Sequence, residues 1–223
     1  MEGIKESFQH IRNHIEKESG QVVGSKEEVA KSIAAAEKVA GAMLGCTLQV
    51  KQKTFVIRMV ELYYGGVGDE AHDWYRNRFV YKTSKYKDRS SVQSMDGFRV
   101  YIATDDMNDT YNRCDIVVGN EGVPVSLLIR SVWDRDHNRI GEAGGSPFLV
   151  LKALGLDPSH HNQPIAIGDD VDSSELRLWN TQSDVFKSGY EIRRQRRKQG
   201  SGIIPGIEDE DRLNCEWNFY LAK

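Results

Sequence analysis

Glu61 closes an apolar run, Phe55-Val56-Ile57-Arg58-Met59-Val60, and Tyr63 and His72 follow it within eleven residues. Side chains alternate along a strand, so Glu61 and Tyr63 share a face. A carboxylate where a rigid strand meets a loop stands where catalytic groups are often found. With an aromatic plane beside it and a histidine close by, it suits a flat heterocycle. The same residues also fit a plainer account, a strand-end glutamate in solvent next to a core tyrosine.

The surrounding elements must position these groups. Ile4, Phe8, Ile11 and Ile15 recur at helical spacing. A second helix is expected from Ser25, with Glu28 completing a capping-box pattern and Val29, Ile33, Ala36, Ala40 and Met43 on its inner face. Stretches rich in β-branched and aromatic residues predict strands at Thr47–Lys51, Thr54–Glu61, Phe98–Ala103, Asp115–Val118 and Val125–Val132. Ser146-Pro147 reads as an N-cap followed by proline at the first helical position, opening a helix that runs through Leu154 and stops at Gly155. Beyond Leu156 the pattern is irregular and charged until a short strand at Trp217–Leu221. Helices followed by mainly antiparallel strands predict one α+β domain over residues 1–223.

Composition narrows the classes. Hydrophobic residues make up 39% and charged residues 28%, as in ordinary soluble domains, and no apolar run is long enough for a membrane span. Met1 to Lys17 is polar and lacks a signal-peptide core. Cys46, Cys114 and Cys215 are widely spaced and odd in number, which suits a reducing cytoplasm. No clustered His/Cys pattern occurs, so neither a metal nor a cofactor is expected. The net charge of −3 does not favour a nucleic-acid partner, which Lys and Arg must hold. A local basic face is available in Arg193, Arg194, Arg196, Arg197 and Lys198; the same run also reads as a solvated helix surface.

Several fragments together resemble the alkyladenine (methylpurine) DNA glycosylases. Glu61-x-Tyr63-x-Gly65 followed by Asp69-x-Ala71-His72 looks like that family's E-x-Y-x-G…D-x-A-x-H-type active-site segment. Ala42-Met43-Leu44-Gly45-Cys46, Asp96-Gly97-Phe98-Arg99-Val100-Tyr101, Leu127-Leu128-Ile129-Arg130, Gly145-Ser146-Pro147 through Leu156, and Trp217-Asn218-Phe219-Tyr220 match further family segments in order, across roughly residues 38 to 221. The resemblance implies a curved, mainly antiparallel sheet flanked by helices and a monofunctional, metal-free enzyme. It would release alkylated or otherwise damaged purines from DNA, acting as a cytoplasmic monomer (nucleoid-associated if bacterial). It implies that Glu61 activates water, that Arg130 helps place it, that Tyr63 and Tyr101 stack on a flipped base and that His72 bonds the base edge. A main-chain carbonyl near Gly202-Ile203 or Gly206-Ile207 would complete the water site.

The chain departs from the family in three places. Thr104 stands where the family drives a bulky wedge into the duplex, leaving Met107 or Tyr111 to fill that role. The hairpin around them carries Asp105, Asp106 and Asp109, which phosphates would repel. Asp115 stands where the family has an asparagine that crowds the guanine 2-amino group; a carboxylate could accept a hydrogen bond from it. Asp73 to Tyr86 reads as an insertion with interleaved aromatic and basic residues, which suits single-stranded nucleic acid. Two alternatives therefore stand beside a duplex glycosylase. One is an N-glycoside hydrolase acting on single strands or free nucleosides; the other is a non-catalytic binding protein of the same fold.

Overall fold

A computed structural model describes residues 26–64, 98–104, 111–118, 125–141, 147–168, 175–195 and 216–223. The expected helix over Ile4 to Ile15 and the insertion at Asp73 to Tyr86 lie outside these residues.

Helix α1 (Lys26–Met43) opens the described chain, as the capping pattern predicts. It buries Ala35, Ala36, Val39, Ala40 and Met43; the small alanines let its backbone come close to the sheet. Its C-terminal carbonyls would lack partners. The Gln182 side-chain amide, far along the chain, donates to the carbonyls of Ala42 at 3.1 Å and Leu44 at 2.7 Å. Gly45 then turns with φ 78°, and β1 (Cys46–Val50) leads into the twelve-residue β2 (Lys53–Tyr64).

β2 is the spine of the sheet. One edge pairs with β5 (Val125–Trp133); the other pairs first with β1 and then, from Met59 to Glu61, with the last strand, β10 (Asn218–Ala222). β3 (Arg99–Thr104) and β4 (Tyr111–Val117) extend the sheet beyond β5, and β6 (Arg139–Ile140) covers the other end of β5's outer edge. On the opposite side β8 (Leu176–Asn180) joins β1, and β7 (Ala166–Ile167) joins β8 in the only parallel pairing among the described strands. β9 (Glu191–Gln195) flanks β10. The result is an α+β fold around one curled sheet of ten described strands, antiparallel except at β7–β8.

The strands and the two helices predicted within the described residues are present, with ends shifted by at most four residues. The segment expected to be irregular instead holds β7, β8, α3 (Gln182–Lys187) and β9. β9 explains the miss: its residues are almost all exposed, so it has no buried alternation to read, and only its pairing with β10 makes it a strand. The basic run therefore begins on a strand, not on a helix surface.

Helix α2 (Pro147–Leu154) buries Val150, Leu151 and Leu154 against β4 and β5. Gly155, at φ 69°, ends it with a Schellman closure: its own N–H donates to the Lys152 carbonyl and that of Leu156 donates to the Leu151 carbonyl. The chain then runs along the free edge of β3, where Asn162 N–H donates to the Val100 carbonyl and Val100 N–H to the Gln163 carbonyl.

Alternation sorts the sheet into two faces. Val60, Leu62, Leu127, Ile129, Cys114, Ile116 and Phe219 join the hydrophobic core. Tyr63, Leu128 and Val117 are equally buried but stand outside that core, on the other face with Glu61, Asp115, Ser126 and Asn218. A pair of compensating register shifts between Ile57 and Val60 sets this phase. Ile57 and Val60 are an odd number of residues apart, yet both point into the core. Strict alternation from Phe55 and Ile57 would have sent Glu61 inward instead.

Gly141 marks the tightest approach of chain to chain beside this sheet. It has φ 89°, and a Cβ there would overlap the Arg130 carbonyl oxygen and the Val150 Cγ2 methyl. Gly141→Ala is expected to lower stability by about 1–3 kcal/mol, from overpacking added to left-handed strain. Urea denaturation would measure the loss; an unchanged midpoint would contradict this packing.

Candidate active site

The register aligns one row of residues across six strands: Tyr101 opposite Asp115, Asp115 opposite Leu128, Leu128 opposite Glu61, Glu61 opposite Asn218, and Asn218 opposite Gln195. Directly paired residues point to the same face. Neighbouring strands lie about 4.8 Å apart, so Asp115 and Glu61 are separated by about 10 Å at their Cα atoms.

Glu61 is 2% exposed. Its Oε2 accepts a hydrogen bond from the Tyr63 hydroxyl at 2.9 Å and one from Arg130 Nη1 at 3.4 Å. This answers the plainer account of these residues: Glu61 is not in solvent, and Tyr63 lies outside the hydrophobic core. Oε1 is also buried and has no hydrogen-bond partner among the described residues. The same holds for Arg130 Nε and for Asn218 Oδ1, on the two strands that flank Glu61. Each such orphan costs about 1–3 kcal/mol of desolvation. Glu61 Oε1 and Asn218 Oδ1 as acceptors and Arg130 Nε as donor are together enough to hold a water, which needs two to four partners.

Asp115 is 3% exposed. Its Oδ2 accepts from the Ser126 hydroxyl at 3.2 Å, and Arg113 Nε stands 3.9 Å from Oδ1, which has no hydrogen-bond partner among the described residues. Burial pushes this carboxyl above its ordinary range and the Glu61 charge adds to the rise; Arg113 and the Ser126 hydroxyl only partly offset it. The group is thus biased towards the neutral acid, a different state from the ionised acceptor expected from sequence.

Tyr101 is half-buried, and its ring centroid lies 5.2 Å from that of His161. The edge-running segment that follows α2 delivers His161, whose Nδ1 accepts from Ile102 N–H at 3.3 Å. Of the basic run, Arg193 shares a face with Tyr220 and is paired with Glu191, whereas Arg194 is turned to the helix side. There it meets Glu37 Oε2 at 2.8 Å and lies over the Phe219 ring. Tyr111 begins β4 and pairs with Thr104 through the backbone. His72, Met107, Arg196 and Arg197 lie outside the described residues.

The structure therefore brings Glu61, Tyr63, Arg130, Asp115 and Tyr101 to one face. It adds Ser126, Leu128, Asn218 and His161, which carried no signal in the sequence because cross-strand register decides their neighbours. Among the described residues, no group of three or more His, Cys, Asp or Glu is placed to hold a metal ion. No described helix is long and apolar enough to cross a membrane. No protein-family model matches the chain, and no curated protein matches it.

A carboxyl whose pKa is raised by folding contributes stability that is fully present below its ordinary value of 3.8 and is lost as pH rises through the folded value. Asparagine cannot ionise. Asp115→Asn is therefore expected to gain stability over the wild type as pH rises from about 3.8 towards neutrality. Thermal melts across that range test this; a difference independent of pH would mean that folding does not raise the Asp115 pKa.

Proposed function

We propose that this chain hydrolyses the N-glycosidic bond of damaged purines in DNA, as the alkyladenine DNA glycosylases that it resembles do. The observation that carries the reading is the buried Glu61 carboxylate, with one oxygen fixed by Tyr63 and Arg130 and the other open. The motif E-x-Y supplied that glutamate and tyrosine in the sequence, and the pair forms a direct hydrogen bond.

The open atoms match one water molecule. Glu61 Oε1 and Asn218 Oδ1 accept its two protons in hydrogen bonds, and Arg130 Nε donates to its oxygen. In the reaction the water oxygen bonds to the sugar C1′ while its proton passes to Glu61, and the electron pair of the breaking C1′–N bond leaves with the base. Tyr63 and Arg130 hold Oε2 so that Oε1 stays aimed at the water. Tyr101, at the far end of the row beside His161, offers an aromatic surface on which a purine taken out of its stack can rest.

A second reading keeps this chemistry and moves it to single-stranded nucleic acid or free nucleosides. Thr104 at the wedge position and the acidic residues Asp105, Asp106 and Asp109 favour it, because a duplex must be both approached and opened.

Glu61→Gln is expected to lower base release by ~10²–10⁴-fold while leaving the fold intact. Asn218→Ala is expected to slow release less than Glu61→Gln does, since it removes a water ligand and not the base. Chromatographic detection of purines freed from alkylated DNA, presented as duplex, single strand and nucleoside, measures both variants and separates the two substrates. Turnover by Glu61→Gln at the wild-type rate would overturn the assignment.

A further inference from the structure

We propose that Asp115 is the general acid of this site, passing a proton to a neutral purine as it leaves, while Glu61 takes a proton from the attacking water. The proposal rests on the hydrolase reading above and gives that site a second catalytic carboxyl, with uncharged damaged bases as its substrate class.

Geometry is the first support. Asp115 and Glu61 stand on one face of the sheet, both in register with Leu128, about 10 Å apart at Cα. Pairs of carboxyl groups set several ångströms apart, one acid and one base, are how inverting glycoside hydrolases accommodate both a leaving group and a water. Between the two in the register stands the buried, apolar Leu128, which offers a base no competing donor. A base there has its sugar towards the Glu61 water and its ring edge towards Asp115.

The second support is the division of the Asp115 oxygens. Ser126 holds Oδ2, and Oδ1 is buried with no hydrogen-bond partner among the described residues. A carboxylic acid anchored through one oxygen and open at the other is arranged to donate. The groups facing it are Arg113 on its own strand, Tyr101 on β3, Ser126 on β5 and Glu61 on β2. Arg113 opposes protonation, but at 3.9 Å it does not make a close pair with Oδ1. Burial and the negative charge at Glu61 work the other way and favour the protonated form of Asp115.

The proton balance closes. The Asp115 O–H proton moves to a purine ring nitrogen, and the C1′–N9 electron pair goes into the ring, so the base leaves neutral. The water oxygen bonds to C1′ and its proton goes to Glu61. Asp115 ends as a carboxylate and Glu61 as an acid, and proton exchange with solvent restores both. A base that is already cationic, such as 7-methylguanine, leaves neutral without the first transfer.

The test compares single-turnover release of hypoxanthine (neutral) and 7-methylguanine (cationic) by wild type, Asp115→Asn and Glu61→Gln. Each base is offered in duplex, in single strand and as nucleoside, at several pH values. Asp115→Asn is expected to depress hypoxanthine release by ~10²–10⁴-fold relative to 7-methylguanine and to abolish the fall of hypoxanthine release with rising pH. The ratio of the two rates within one preparation does not depend on how much of the variant is folded. An unchanged ratio overturns Asp115 as the acid, as does a wild type that releases 7-methylguanine alone; in either case release lost in Glu61→Gln leaves the hydrolase reading standing. Release of neither base by the wild type overturns both.

Discussion

A β-strand offers its side chains only two directions, and this protein uses a local exception to that rule to aim its most consequential residue. Up to Ile57 the odd-numbered positions of β2 enter the core; from Val60 onward the even-numbered ones do. The paired register shifts opposite Ser131 make the exchange, and β5 changes phase at the same level, so Ile129 and Val132 both remain inside. Arg58 absorbs the irregularity: it is buried, with its guanidinium 5.6 Å from the Trp133 ring centroid. Without this slip a carboxylate would enter the hydrophobic core, where an uncompensated charge is prohibitively costly. With it, Glu61 is still buried, but among polar groups on a face that contains Tyr63, Arg130 and Asn218.

The helix side keeps that face in register. Glu37 on α1 accepts from Trp217 Nε1 at 3.0 Å and pairs with Arg194, and those two residues lie at the Asn218 end of the β9–β10 pairing. Trp217 also accepts the Leu62 N–H through its carbonyl, so β10 is fastened to β2 next to Glu61. The position of Asn218 beside the carboxylate thus depends on contacts made on the opposite side of the sheet. Arg194, expected from sequence to meet nucleic acid, is committed to this fastening, which leaves Arg193 as the described residue of the basic run on the Glu61 face.

Local chemistry was legible in the sequence and cross-strand chemistry was not. Capping at Ser25 and Ser146-Pro147, the glycine stop at Gly155 and the β-branched runs are one-dimensional signals, and they located α1, α2 and the central strands. The two-residue spacing of Glu61 and Tyr63 is of the same kind, and their hydrogen bond follows from it. Asn218 and Ser126 became neighbours of the carboxyls only through strand pairing, which no periodicity reports. The protonation bias of Asp115 was also out of reach, because it arises from burial and from a charge two strands away. β8 and β9 escaped notice because charged and aromatic residues occupy their outward positions and β9 buries almost nothing.

The polar face carries a thermodynamic cost that the core does not explain. Glu61 Oε1, Arg130 Nε, Asn218 Oδ1 and Asp115 Oδ1 are buried orphans, each about 1–3 kcal/mol unfavourable when nothing meets them. A chain whose net stability is only about 5–15 kcal/mol does not carry four such groups without consequence. They cannot relax by rotating to surface solvent, because Tyr63, Ser126 and the flanking strands hold the two carboxyls in place. A polar occupant that supplies donors to Glu61 and Asn218, an acceptor to Arg130 and a partner to Asp115 would relieve them. Such an occupant recovers on binding the stability that folding gave up. The polar atoms that such an occupant would meet lie together on the Glu61 face and are held in place before it arrives.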